Sequence, residues 1–296
     1  MAQALAAGTA LPRPAESEGF WTLALRRFRR HHVAMISGGV VVALGVLALA
    51  APWIAPYSYQ EIDLLNRLAG PSLGHWLGTD ELGHDVLTRV LYAGRVSIAV
   101  GLAAALATAV LGLTVGGIAG YRGGWFDSSL MRFTDLMLSV PVLPILIILA
   151  KYIGGTVWGI ILVLASFGWM GTARLVRGEM LKLRRMEYTD AARALGASDG
   201  RILLRHLVPN ALAPVIVAAT LTVGEAILGE AALSFLGVGI QPPVPSWGNM
   251  LQNAQDFIWT TPRLAVYPGA LIFFTVLCFN FVGDGLRDAL DPRQRR

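Results

Sequence analysis

Two carboxyl groups, Glu225 and Glu230, stand in a stretch from 211 to 236 that carries no other charge, and Ser234 follows the second by one helical turn. Ionisable side chains in so apolar a setting are costly and normally face a protein interior or a watery path. By residue type the three are candidates for a translocation path. The plainer alternative puts Glu230 at an outer interface and Glu225 in a hydrogen bond to a neighbouring helix. A second group, His75, Asp80, Glu81, His84 and Asp85, gathers side chains that can bind metals. Its spacing matches no familiar ligand pattern, and polar loop residues are the commoner explanation, so no metal is expected. The one cysteine, Cys278, lies in an apolar run and offers no thiol cluster or disulfide framework.

Nucleotide chemistry is also missing. A P-loop needs Gly-Lys followed by Ser or Thr, because the lysine reaches the terminal phosphates and the hydroxyl holds magnesium. The two lysines, Lys151 and Lys182, follow Ala150 and Leu181. Neither a G-x-S-x-G elbow, an H-E-x-x-H helix nor a pair of Cys-x-x-Cys ligands occurs. The chain reads as no enzyme, with no cofactor of its own. What remains is "YTDAARALGASDGRILLRHLVPN", residues 188–210, a polar segment too long and too helix-favouring for a linker. Residues 187–195 favour a helix, Gly196 suits the left-handed conformation that ends one, and Ser198 or Asp199 can cap a second helix running to Leu207, before Pro209 starts the next apolar run. Ala191, Ala192, Leu195, Ile202 and Leu203 then give an apolar partner surface, and Arg193, Arg201 and Arg205 add charge.

The elements that must position these residues follow from composition. Of 296 residues 55% are hydrophobic and 15% charged, against about 25% charged in soluble proteins, which points to a membrane protein. A spanning helix needs about 20 mostly apolar residues. The stretches 33–54, 97–119, 136–153, 157–173, 211–236 and 264–282 qualify, so an all-α protein with six spans is expected, its termini on one side. Of the 24 basic residues only Arg67, Arg89, Arg95, Lys151 and Arg263 fall on the far side of this arrangement. Because Lys and Arg near spans stay cytoplasmic, the termini and residues 187–209 are assigned to the cytoplasm. The net charge of +5 is thus topological, and nucleic acid is set aside.

This divides the chain into a cytoplasmic tail with an interfacial helix (1–32), a first span (33–54), an extracytoplasmic loop with an amphipathic helix (55–96), a core of five spans with the elbow at 187–209 (97–283) and a cytoplasmic tail (284–296). The start of the chain is Ala- and Pro-rich and expected to be disordered; "FWTLALRRFRRHH" then suits a helix at the membrane surface. Ala48, Leu49 and Ala50 resemble a signal-peptide cleavage site, but the apolar region is too long and further spans follow, so an uncleaved anchor is expected. In the loop, Thr79 or Asp80 suits the N-cap of a helix carrying Leu82, Val86, Leu87, Val90 and Leu91 on one stripe. Gly112, Gly116 and Gly120, with Gly101, Ala105 and Ala109 before them, mark close helix contact. Pro141 and Pro144 predict a kink in the third span.

Three segments carry a resemblance. "DAARALGASDGRILLRHLVP" resembles the EAA loop of ABC-type importer permeases, with Asp190, Ala191, Ala192, Gly196 and Pro209 in register, and Asp190, His206 and Val208 replacing Glu, Ile and Leu. "HWLGTDELGHDVLTRVLYAGRVSIAVG", from His75, is similar to the segment before the second span in the dipeptide, oligopeptide and nickel group of these permeases, with Trp76 and His84 where Pro and Arg are common. "EAALSFLGVGIQPPVPSWGNML", from Glu230, is similar to that group's segment after the fifth span.

The resemblance implies a type I ABC importer permease fold in a bacterial inner membrane. It implies a heterodimer with a second permease, two cytoplasmic ATPase subunits that hold ATP and Mg, and an external solute-binding protein. The elbow becomes a coupling helix, with Glu187, Asp190, Ala191, Ala192, Arg193, Gly196, Arg201, Arg205, His206 and Pro209 facing an ATPase. Pro242, Pro243 and Trp247 become a contact for the binding protein or an interface anchor. Peptides are the expected substrates, with chelated nickel as the alternative. An ion-coupled carrier using Glu225 and Glu230, and a membrane scaffold, are the rivals from other classes.

Overall fold

The computed structural model describes residues 20–291; the Ala- and Pro-rich start lies outside them, as does the end of the C-terminal tail. Twelve α-helices are present among the described residues, and no strand beyond an isolated bridge between Thr79 and Asp85. They are α1 (Phe20–Arg30), α2 (His32–Leu49), α3 (Ala51–Ile54), α4 (Val86–Arg122), α5 (Gly124–Ser139), α6 (Val142–Ile153), α7 (Val157–Leu183), α8 (Glu187–Ala194), α9 (Asp199–Ile202), α10 (Val208–Phe235), α11 (Trp247–Ala254) and α12 (Arg263–Leu290). Five are long and apolar enough to cross a membrane: α2, α4, α7, α12 and the continuous rod from Asp199 to Phe235 that joins α9 to α10. The pair α5 and α6 passes the same test only together, bent by 90° at its break.

The bend follows from Pro141. Proline disfavours helical geometry in the residue before it, so α5 ends at Ser139, Val140 is extended (ψ 137°) and Pro141 becomes the N-cap of α6. Pro144 adds no kink of its own. It sits in the first turn of α6, where its missing N–H would have had no helical partner.

The helix expected from Thr79 or Asp80 is not there. Asp80 instead accepts backbone hydrogen bonds from Leu82 and His84 at 2.9 Å and closes a tight turn, and the N-cap is Asp85, whose carboxyl accepts from the Thr88 N–H at 2.8 Å. From Asp85 one helix of 37 residues runs through the second span, about 55 Å long at 1.5 Å per residue. Its glycine row does what its spacing predicts. A Cβ on Gly112 would lie 2.6 Å from Thr172 Cβ, and one on Gly120 2.6 Å from Met180 Cβ, so α4 and α7 approach backbone to backbone. Gly101 makes room for side chains of α10, since a Cβ there would lie 2.6 Å from Ile227 Cγ1.

Three apolar clusters follow one another along this stack. One joins α2, α4, α10, α11 and α12 around Trp247 and Ile227; a second joins α4, α6, α7 and α10 around Ile160 and Met170. The third lies at the opposite end of α4 from Asp85, around Met180, Ile202 and Leu207. Large apolar side chains such as Ile36, Leu106 and Leu162 remain exposed on the outside of the bundle, as a lipid-facing surface requires.

Candidate functional site

The elbow is built from α8, the turn after it and α9. Helix α8 ends in a Schellman motif: the Ala197 N–H donates to the Ala192 carbonyl at 3.0 Å and the Gly196 N–H to the Arg193 carbonyl at 2.9 Å. Gly196 adopts φ +79° there, a conformation that an L side chain holds only with strain. The elbow is pinned from below at several points. The buried Thr189 hydroxyl donates to the Leu183 carbonyl at 2.8 Å, the Tyr121 hydroxyl donates to Asp199 Oδ1 at 2.5 Å, and Arg184 Nη1 donates to the Tyr121 carbonyl at 2.9 Å. These bonds tie the elbow to the ends of α4 and α7. Ile202 and Leu207 are fully buried and anchor its far side.

Ile202 therefore does not belong to the partner surface expected of it. Nor is there a separate second helix ending at Leu207 before Pro209 opens a new one. Residues 203–207 form a π-turn that carries α9 straight into α10, with Pro209 in the first turn of the latter. A wider turn before a proline accommodates the backbone carbonyl that the ring leaves without a donor. The Asn210 amide meanwhile donates to the His206 carbonyl at 2.6 Å. The elbow is thus the end of a rod that continues through the bundle.

Its outer surface is open. Glu187, Asp190, Ala191, Arg193, Gly196, Arg201, Arg205 and Pro209 are exposed, Ala192 and His206 half-buried. Leu195 is 88% exposed and Leu204 70%. Leu204 and Tyr188, also exposed, escaped the sequence reading; Tyr188 precedes the buried Thr189, and Leu204 stands two residues after the buried Ile202. Asp190 and Arg193 pair at 3.0 Å, an exposed bridge that contributes little to stability.

The two glutamates have opposite surroundings. Glu225 is exposed on α10, whereas Glu230 is fully buried. Ser97 Oγ donates to Glu230 at 3.0 Å and Ser234 Oγ at 2.7 Å. Those hydroxyls accept in turn from the Trp247 N–H at 3.2 Å and the Ile240 N–H at 3.1 Å. One carboxyl thereby fastens α4, α10, the 237–246 segment and α11 together. Glu230 and Ser234 are both buried, and the segment after α10 folds over them. Trp247, expected at a surface, is 2% exposed, with its indole N–H donating to the Val90 carbonyl at 3.2 Å. Pro242 and Pro243 are exposed.

The histidines of the loop before α4 are engaged by carboxyl groups. His75 Nδ1 lies 3.0 Å from Asp85, His84 Nδ1 2.9 Å from Asp80, and Arg89 Nη1 3.3 Å from Asp80. Burial pushes the Asp80 carboxyl up, but the hydrogen bond to His84 and the charge of Arg89 outweigh it and hold the group below its ordinary 3.8. Burial, followed by the charge of Asp80, pushes neighbouring Glu81 above the usual range.

Known proteins share both halves of this architecture. Residues 112–296 match the family described as binding-protein-dependent transport system inner membrane component, and residues 19–71 match the N-terminal TM domain of oligopeptide transport permease C. The chain belongs to this permease family. The glutathione transport system permease protein GsiD of Escherichia coli O157:H7 is 42% identical over 294 residues, 98% of this chain and 96% of that protein. The dipeptide transport system permease protein DppC of Alkalihalophilus pseudofirmus is 40% identical over 275 residues, 93% of this chain and 90% of that protein. In the inward-facing MetNI methionine ABC transporter, a chain with 20% identity superposes with a TM-score of 0.50, covering 66% of this chain and 94% of its own, which shows the shared fold. The protein is therefore a multi-pass membrane permease subunit and not an enzyme. Permeases of this kind work with a binding protein and with separate ATPase subunits.

Proposed function

We propose that this permease is one half of an ATP-driven peptide importer in a bacterial inner membrane, and that its elbow carries the movement of an ATPase subunit into the bundle. In this reading the α5–α6 pair is the third of six spans, the termini and elbow face the cytoplasm, and residues 97–283 form the transport core. A homologous second permease completes the path, two ATPases hold ATP and Mg, and a solute-binding protein delivers the cargo from outside. The charge asymmetry supports this orientation, since only five of the 24 basic residues fall on the other side.

One observation carries the coupling role: a polar, solvent-open elbow is the terminus of the continuous Asp199–Phe235 rod and is pinned to α4 and α7. Closure of two ATPases displaces rigid bodies, and a stiff elbow passes that displacement on. Glu225, exposed on the same rod, is the acidic group placed to meet the path formed with the second permease. A carrier using Glu230 fits less well, because its oxygens are occupied by two serine hydroxyls inside the chain.

The names of the relatives favour small peptides, glutathione and dipeptides among them, as cargo. Calorimetric titration of the cognate binding protein with glutathione, a dipeptide series and a nickel chelate tests this. Micromolar or tighter binding of a peptide supports the reading, and selective binding of the chelate replaces it. Uptake by this chain alone in vesicles, driven by an ion gradient without ATP, would establish the carrier instead.

A further inference from the structure

Glu225 stands close to the middle of the apolar 211–236 stretch, yet it is exposed, and among the described residues no hydrogen bond or ion pair reaches its carboxyl. Two packed seams bound its sector of α10. A Cβ on Gly224 would lie 3.3 Å from Val276 Cγ1 of α12, and one on Gly229 would lie 2.9 Å from Leu164 Cδ2 of α7. At about 100° per residue, Glu225 opens between the two. A second polar side chain stands at the first seam. Asn280 Oδ1 lies 3.9 Å from the same Cβ position on Gly224, and Asn280 too is exposed and makes no side-chain hydrogen bond among the described residues. In the antiparallel register of α10 and α12 it leans to the side on which Glu225 opens, and Asp284, exposed one turn further on, continues that stripe.

Neither lipid nor internal structure accounts for this pair. A carboxylate facing hydrocarbon at mid-bilayer is costly, and the outward sides of the bundle carry Ile36, Leu106 and Leu162 instead. Where the chain uses a carboxyl to hold itself together, at Glu230, it buries the group under two serine hydroxyls. Glu225 has no such partners, so its oxygens face water or a ligand. The sector carries charge of one sign, because the nearest basic residues along the two helices are Arg205, near the elbow, and Arg287, beyond Asp284. An anion is thereby disfavoured. A hard metal ion takes about six or more oxygen ligands, and no group of three or more His, Cys, Asp or Glu able to hold a metal occurs among the described residues. A protonated amine, with three N–H donors and no acceptor, suits a carboxylate beside an amide oxygen.

We propose that Glu225, helped by the Asn280 amide oxygen, receives a protonated amino group of the cargo at the middle of the membrane and makes passage depend on that charge. A dipeptide has such a group at its amino terminus, and a lysine side chain supplies another of the same chemistry. Charge-assisted hydrogen bonds are about twice as strong as neutral ones, so losing the Glu225 charge registers even in a path that the cargo only crosses. The proposal rests on the reading that this side of α10 meets the path formed with the second permease, and it does not involve the elbow.

The test uses the complete transporter with its binding protein in proteoliposomes. It compares uptake of dialanine, alanyl-lysine and N-acetyl-dialanine, each at a concentration that saturates the binding protein. E225Q is expected to lower the maximal rate about tenfold for the two cargoes with a free amine and to spare the acetylated one, with the KM for loaded binding protein and the thermal midpoint of the transporter unchanged. E225D restores much of the rate, and E225K deepens the loss for the free amines. A loss confined to alanyl-lysine assigns the contact to the side-chain amine, and a loss shared with dialanine assigns it to the amino terminus. Unchanged rates overturn the proposal. Equal fractional losses for all three cargoes, or a lowered midpoint, mark a contact with the second permease and overturn it as well. Glu225→Cys separates this failure from failure of the path reading, because Cys278 is buried. Labelling by a water-soluble thiol reagent alongside an unchanged uptake series overturns the amine contact alone; a position closed to the reagent in every nucleotide state overturns the path reading with it.

Discussion

The two ends of α10 solve the same problem in opposite ways. At the Phe235 end Glu230 is buried and its oxygens are taken by Ser97 and Ser234, with the amides of Trp247 and Ile240 behind them. At the Asp199 end the rod ends in a surface whose polar and apolar groups are largely turned outward, Leu195 and Leu204 among them. One end is satisfied within the chain; the other, under the proposed coupling role, leaves its surface to be finished by a partner. Substitutions around Glu230 should therefore register as lost stability, and those on the elbow as lost coupling in a protein of nearly normal stability.

The largest effect is expected from Glu230→Leu, which removes the acceptor of two buried hydroxyls and costs about 3–5 kcal/mol. Glu230→Gln keeps one acceptor and costs about 1 kcal/mol. Denaturant midpoints in micelles, followed by tryptophan fluorescence, check both, and equal midpoints would break the contrast at its Glu230 side. Asp80→Asn comes next, at about 2 kcal/mol near neutral pH, because it unpairs His84 and Arg89. Since the folded Asp80 titrates below its unfolded value, its contribution is complete above about 3.8 and fades as pH falls through the lower folded pKa. Hydrogen exchange over residues 66–85 should accordingly differ between wild type and variant at pH 7 and converge in strong acid.

Gly196→Ala is smaller in stability, about 1–2 kcal/mol and confined to the elbow, because φ +79° is strained for alanine while no atom lies within 4 Å of the new methyl. Substrate-stimulated ATP hydrolysis in the reconstituted transporter should drop, and an unaltered rate would argue against a shape-dependent elbow. Leu195→Ser should shift the midpoint by less than about 0.5 kcal/mol and still reduce that stimulation.

The sequence was most legible where one residue type forces the geometry. Runs of apolar residues locate the spanning helices, the Gly112–Gly120 spacing marks the α4–α7 seam, and Gly196 marks the left-handed turn of the elbow. It was least legible where distant segments decide. The partner that buries Glu230 is Ser97, 133 positions earlier, and the cover is a segment whose prolines and Trp247 read as surface features. Local spacing also could not separate a helix cap from a tight turn at Asp80, or tell that a π-turn before Pro209 would fuse two expected helices into one rod. In the third span proline announced a bend, but the 90° angle depends on how α5 and α6 pack against α4 and α7.

The central claim is that the elbow seats against a nucleotide-hydrolysing partner on the inner side of the membrane. Leu195→Cys tests it directly, because the one native thiol, Cys278, is buried. In the assembled transporter a short heterobifunctional crosslinker, thiol-reactive at one end and amine-reactive at the other, is predicted to join position 195 to a lysine of an ATPase subunit, with a yield that changes on adding ATP. Absence of any ATPase adduct, or labelling of position 195 by an impermeant reagent applied from outside, would contradict it.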